Sequence, residues 1–318
     1  MTDIELLEEK FSIEGELGFY VGEGDLVFIS VFNKWADAEI CLYGAHLTNY
    51  TPQGNFDVLW VSPVSDFEYG KPIRGGILVC FPWFGPNKED PDKPQHGFAR
   101  LLNWDIIETA STETGETKVR LQLESSDETK QYWPYDFKAE MSFLIGKELE
   151  VRLTITNTGN VPFEYTSALH SYFNISGIEN IYISGLQNKQ YYQGFGIELN
   201  TQEEELLQIK KEENRRYINT DNKCQLIDPE FMRVINVSKE GSQVTVVWNP
   251  GEETTKKMSD LTEDSYHAFV CIESVNTYDD KITLSSGEKH TTSAIIGSEF
   301  KKGKLSSIGD SGVNIMPL

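Results

Sequence analysis

Phe137-Lys138-Ala139-Glu140-Met141-Ser142-Phe143-Leu144 is followed, four residues on, by Leu149-Glu150-Val151-Arg152-Leu153-Thr154-Ile155-Thr156-Asn157. In each run apolar residues fall at every second position. Side chains two apart on an extended chain share a face, so these are strands with one face in a core and one turned outward. Runs of the same kind recur at Leu26–Phe32, Ala38–Tyr43, Val58–Val61, Lys118–Leu123, Val244–Trp248, Phe269–Val275 and Lys281–Leu284. Turn signals punctuate them, notably Pro52-Gln53-Gly54, Thr158-Gly159-Asn160 and Ser285-Ser286-Gly287. Helical signals are scarce; the first ten residues read as a short acidic helix or as disorder. No fixed internal period is visible, which argues against a propeller or solenoid, and no Pro/Gly/Ser-rich linker divides the chain. The expected fold is all-β, a large antiparallel two-layer β-sandwich. It is expected as one domain over residues 25–318, with an acidic segment, 1–24, packed on or flanking it. The most polar interval, Thr201–Arg216, reads as an insertion or a solvated excursion.

The chain has 318 residues, a net charge of -22 and a pI near 4.6. So acidic a protein is a poor partner for nucleic acid or for an anionic membrane. It can still bind an anion, through a local cationic pocket working against its overall field. The opening residues are acidic where a signal peptide is basic and then apolar, and no apolar stretch is long enough to span a bilayer. Cys41, Cys80, Cys224 and Cys271 are far apart, with no CxxC. They are expected as buried free thiols, and the protein as cytoplasmic.

Such a pocket has a candidate. Arg74-Gly75-Gly76-Ile77, Phe81-Pro82-Trp83-Phe84-Gly85-Pro86 and Gln95-His96-Gly97-Phe98-Ala99-Arg100 gather two arginines, a histidine, an amide and four aromatic rings among glycines and prolines. Gly75-Gly76 permits close backbone approach, and the prolines restrict the loop before anything binds. Arginine suits planar contact with phosphate or carboxylate, and aromatic rings cover the apolar face of a sugar or base. The residues alone leave open a pre-formed pocket for a small anionic ligand or a surface loop stapled by Trp83 and Phe84.

Five histidines are present. In Thr166-Ser167-Ala168-Leu169-His170-Ser171-Tyr172-Phe173, read as a strand, Ala168, His170 and Tyr172 share one face and Leu169 and Phe173 the other. His170 is then either pocket-lining or a hydrogen-bonded structural histidine. Glu273 stands alone among apolar residues in Phe269-Val270-Cys271-Ile272-Glu273-Ser274-Val275. Burial there raises a carboxyl pKa toward that of a general base; the alternative is an edge strand with Glu273 in water. Trp248-Asn249-Pro250 reads as a ligand wall or a strand-end cap, and Asp228-Pro229 and Asp260-Leu261 as turns. Dinucleotide, P-loop and nucleophile-elbow motifs are absent, and the histidines lack metal-ligand spacing, so neither a metal nor another cofactor is expected.

Tyr43-Gly44-Ala45-His46-Leu47, Asp57-Val58-Leu59-Trp60-Val61-Ser62, Ile73-Arg74-Gly75-Gly76-Ile77, Pro82-Trp83-Phe84-Gly85-Pro86, His96-Gly97-Phe98-Ala99-Arg100, Asn157-Thr158-Gly159, Ala168–Phe173, Val247–Pro250 and Val270–Glu273 occur in that order. Together they resemble the glucose-6-phosphate 1-epimerase (hexose-6-phosphate mutarotase) branch of the aldose 1-epimerase superfamily, over roughly residues 35 to 300. The resemblance implies the galactose mutarotase-like sandwich, a monomer, and interconversion of the α and β anomers of an aldohexose 6-phosphate. It implies His170 as general acid and Glu273 as general base; a histidinium at His170 would supply the proton, its cationic form favoured near Glu273 and the substrate phosphate. It further implies His96 on a sugar oxygen, Arg74 and Arg100 on the phosphate with Gln95 beside them, and Trp248 as a wall. Asn214, in Asn214-Arg215-Arg216-Tyr217, stands where the resembled segment has an acid that contacts sugar hydroxyls. Asn donates and accepts hydrogen bonds without charge, which bears on sugar preference more than on chemistry. Gly251 and Phe81 also depart from the pattern. Two other functions stay open: a mutarotase for unphosphorylated sugars, and a catalytically silent carbohydrate-binding protein on the same fold.

Overall fold

The computed structural model describes residues 3–194, 196–220 and 223–301. Phe137–Ile145 and Glu148–Asn157 pair as an antiparallel hairpin, with Phe137 opposite Asn157 and Ile145 opposite Leu149. They lie inside an eight-stranded sheet ordered Tyr182–Ser184, Cys224–Asp228, Arg233–Glu240, Lys289–Phe300, Glu148–Asn157, Phe137–Ile145, Thr117–Glu124, Asp105–Ser111. The second sheet has eleven strands, ordered Leu17–Val21, Val27–Phe32, Ala36–Cys41, His46–Pro52, Ile77–Cys80, Ser167–Asn174, Phe269–Asn276, Val244–Asn249, Glu213–Tyr217, Gln190–Gln193, Leu199–Thr201. All pairings are antiparallel among the described strands of both sheets.

One core cluster joins the sheets: Val119, Met141, Phe143 and Leu153 from the smaller, Leu169, Phe173, Val247 and Ile272 from the larger. Each such side chain, fully buried, contributes roughly 2 kcal/mol of apolar transfer. The alternation read for His170's strand is the one found. Leu169 and Phe173 enter this core, while Ala168 and Tyr172 join a second buried cluster on the outer face with Trp60, Leu78, Val246, Phe269 and Cys271. The central strands of the large sheet are therefore covered on both faces, and Ser167–Asn174 and Phe269–Asn276 are buried almost throughout.

Several elements differ from the sequence reading. Val58–Val61 forms only isolated bridges, Leu59 to Phe173 and Val61 to Gly75. His46–Pro52, Ile77–Cys80, Arg233–Glu240 and Lys289–Phe300 are strands the pattern did not mark. Arg233 is fully buried because its guanidinium donates to the carbonyls of Phe56, Asp57 and Asn174. The acidic segment begins with a helix, Asp3–Phe11, tied down by Glu8, whose Oε1 accepts the Phe19 N–H at 2.6 Å. Leu17–Val21 then pairs with Val27–Phe32 as the outer strand of the large sheet. Residues 302–318, read as part of the domain, lie outside the described residues. Thr201–Arg216 is not a solvated excursion throughout: Leu207 and Ile209 are buried, and the interval ends inside the strand Glu213–Tyr217.

Candidate active site

Strand register builds the site. Leu169 faces Ser274 and Tyr172 faces Cys271, which sets His170 opposite Glu273. Glu273 faces Val246, and Val246 faces Arg216. A row His170–Glu273–Val246–Arg216 thus crosses four strands on one face. Two residues along, Tyr172, Cys271, Trp248 and Asn214 form a parallel row. Adjacent rungs are roughly 4.8 Å apart.

His170 Nε2 lies 3.5 Å from Glu273 Oε1, and both side chains are buried. The imidazole stacks on Tyr172, centroids 4.8 Å apart and planes 9° from parallel, with Trp248 edge-on at 6.0 Å. His170 Nδ1 and Glu273 Oε2 have no hydrogen-bond partner among the described residues. Burial pushes the Glu273 carboxyl well above its ordinary range. Burial, then His96, Arg74 and Arg100, hold His170 well below the usual imidazole value. Desolvation thus works against the charged form of both groups, and at His170 the neighbouring His96, Arg74 and Arg100 add to it.

The loop before Ile77–Cys80 is the second half of the site. Gly75, at φ +115°, and Gly76, at φ +62°, pass so close to the Trp60 and Leu47 carbonyls that a Cβ would stand 2.3 and 2.2 Å from those oxygens. His46 Nε2 donates to the Gly75 carbonyl at 2.7 Å and fixes the loop from beneath. The loop delivers Arg74, whose Nε and Nη2 both donate to Asp260 Oδ2 at 2.8 and 2.7 Å while Nη1 donates to the Tyr172 hydroxyl at 2.9 Å. Burial works against the Arg74 charge, but Tyr172 and Asp260 outweigh it.

His96 accepts the Gly85 N–H on Nδ1 at 3.1 Å, so its Nε2 carries the hydrogen and is a donor. Burial, helped by Arg100 and Arg74, pushes its pKa down to about 3, so this ring is neutral. Its backbone is left-handed, φ +64°. Arg100 donates from Nη2 to the Gln95 carbonyl at 2.8 Å, and its Nε is buried without a partner. Asn249 is the strand-end clamp, donating to the Tyr266 and Phe269 carbonyls and accepting the Gly251 N–H, while Trp248 is left to the cavity.

All eight residues expected at the site line one cavity of about 310 Å³: Arg74, Gln95, His96, Arg100, His170, Asn214, Trp248 and Glu273. Its size falls among small-molecule pockets. Sequence reasoning missed two residues. Arg216 lines the same cavity but lay in the interval read as solvated; its signal is the period of two that puts it on Asn214's face. Asp260 was read as a turn residue, and nothing local to it marks its pairing with Arg74. His170, Cys271 and Glu273 bring their ligating atoms within 4.8 Å of one another, a set able to hold a metal. Burial pushes the Cys271 thiol far up, and Arg74 faces both Cys271 and His170, so the set is poorly suited to a cation.

The family model described as aldose 1-epimerase matches residues 29–297. A Salmonella typhimurium protein named "Putative glucose-6-phosphate 1-epimerase" is 35% identical over 256 residues, which is 79% of this chain and 83% of that protein. The crystal structure of a mutarotase from Salmonella typhimurium, itself called putative, matches with a TM-score of 0.84 at 30% identity, covering 91% of this chain and 95% of that one. A galactose mutarotase-like protein from Lactobacillus casei shares the fold, with a TM-score of 0.69 at 16% identity over 86% of this chain and 100% of that one.

Proposed function

The chain belongs to the aldose 1-epimerase family, and we propose that it is an enzyme interconverting the α and β anomers of an aldohexose 6-phosphate, with glucose 6-phosphate as the first candidate. The observation that carries this reading is the buried pair His170–Glu273, 3.5 Å apart, in a sugar-sized cavity lined by arginines.

Anomerisation needs a base for the C1 hydroxyl proton and an acid for the ring oxygen. The resting pair holds one proton, on Glu273. A phosphate dianion bound anywhere in this small cavity makes its field less positive, so binding favours moving that proton from Glu273 to His170. Glu273, now a carboxylate, accepts the C1 hydroxyl proton while His170 donates to the ring oxygen. The C1–O5 bond breaks, the aldehyde turns about C1–C2, and the ring closes on its other face as both protons return. Proton transfer completes the chemistry, so it calls for no metal or redox cofactor. His96 Nε2–H and Asn214 hold sugar oxygens, Trp248 walls the ring, and Arg74 and Arg100 with Gln95 form the cationic end.

The enzyme's partner is a small-molecule sugar phosphate, and it works as a cytoplasmic monomer apart from nucleic acid and membranes. The charge of -22 supports the separation from nucleic acid and anionic membranes, and four buried unpaired cysteines suit a reducing compartment. No described helix is long and apolar enough to cross a membrane.

Anomer exchange measured at equilibrium by NMR tests the reading. Faster exchange of glucose 6-phosphate, and not of glucose or galactose, is expected. Acceleration of the free sugars alone would assign unphosphorylated substrates, and acceleration of none would leave a binding protein.

A further inference from the structure

The strand Glu213–Tyr217 carries two adjacent arginines on opposite faces, and the protein treats them differently. Arg215 points away from the cavity and is paired: its Nε lies 3.1 Å from Glu213 Oε2, and its Nη1 faces the Gln202 side chain. Arg216 faces the cavity and has no carboxylate partner among the described residues. Its Nη1 donates to the Gly194 carbonyl at 2.5 Å, and its Nε is buried with no acceptor. The residue is only 3% exposed. Asn214, its neighbour on the cavity face, brings no charge.

The guanidinium is also held still. It lies 3.7 Å from the centroid of Tyr278 and 5.0 Å from that of Tyr192. Tyr278 itself sits in a left-handed conformation, φ +53°, and Lys88 Nζ stands 5.0 Å from the same ring. Stacking fixes the plane of the fork without neutralising its charge. Arg74 is the opposite case, since Asp260 and Tyr172 already accept from its Nε, Nη1 and Nη2.

Position completes the argument. Arg216 and Glu273 are two rungs apart on one row, roughly 10 Å between backbones. A hexose ring with its exocyclic carbon, together with the arginine side chain, bridges such a gap. We propose that Arg216 is a phosphate-gripping, specificity-determining residue of this site, its guanidinium charge answering the substrate's phosphate where no carboxylate does, and that Arg74 is chiefly a positioning residue. The proposal rests on the sugar-phosphate reading above.

The test compares wild type with Arg216→Ala, Arg216→Lys and Arg100→Ala, each first checked for native circular dichroism. Arg216→Ala is expected to raise KM for glucose 6-phosphate by roughly ten- to a hundred-fold, the loss of one charge-assisted contact, and to change the affinity for glucose, read by calorimetry, far less. Arg216→Lys should recover part of the loss, because it restores the charge without the fork. Inorganic phosphate is titrated in parallel, by calorimetry, against the same proteins. Weaker phosphate binding in Arg216→Ala supports the assignment even where wild type turns over neither sugar, a result that would remove the reaction but not the anion site. Unchanged phosphate binding, or equal weakening of glucose 6-phosphate and glucose binding, overturns it; selective loss in Arg100→Ala alone moves the phosphate to the other end of the cavity.

Discussion

His46 lies beneath the Gly75-Gly76 loop, 1% exposed, with its Nε2–H on the Gly75 carbonyl. Burial lowers its pKa from 6.5 to about 4. The sign follows from which state binds the proton. Between those two values the unfolded chain is protonated at this position and the folded chain is not, so the neutral ring's contribution is full above pH 6.5 and is lost as pH falls toward 4. The slope is about 1.4 kcal/mol per pH unit, and the loss between pH 7 and pH 4 is roughly 3 kcal/mol. His46→Gln keeps an N–H donor but does not titrate. Urea unfolding of both proteins across this range is the assay. The variant is less stable at pH 7, having lost the fitted ring, but its stability should fall with acid more gently by one proton's slope. Parallel curves for the two proteins would refute the reasoning, since they would mean that His46 binds its proton equally in the folded and unfolded states.

Glu273→Gln should lower kcat by roughly 10²- to 10⁴-fold while retaining substrate; exchange at the wild-type rate, read by NMR, would remove Glu273 from the chemistry. Asp260→Ala strands the Arg74 charge in a half-buried place and should cost roughly 3 kcal/mol, measured by urea midpoint. It also leaves the field at His170 more positive, so the acid limb of the pH–rate profile should move to lower pH; a shift to higher pH would contradict the charge balance described here.

The alternating runs made the sandwich legible, as did the separation of His170 and Tyr172 from Leu169 and Phe173. The loop of glycines, arginines and aromatics was legible because each residue type there has few other uses. Less visible was anything depending on strand register between distant segments. His170 and Glu273 are 103 positions apart, and only the antiparallel pairing of their strands makes them neighbours. Arg216 is charged within a charged stretch, and composition cannot separate a side chain buried against two tyrosines from one in water. Asp260 ends a turn, so its role depends on a partner 186 residues away. The downward push on His170 was likewise beyond the sequence, because it comes from burial and from charged groups on other elements.

The large sheet keeps its two faces in separate hands. Residues of odd and even position on its central strands answer to different demands, one set filling the core with the smaller sheet and the other furnishing the cavity. A change at Asn214, Arg216 or Val246 alters the pocket while its sequence neighbours, pointing the opposite way, keep the scaffold intact. Over evolutionary time such a chain can exchange one sugar for another by substitutions on the cavity face that leave the core between the sheets untouched, so that substrate range diverges faster than architecture.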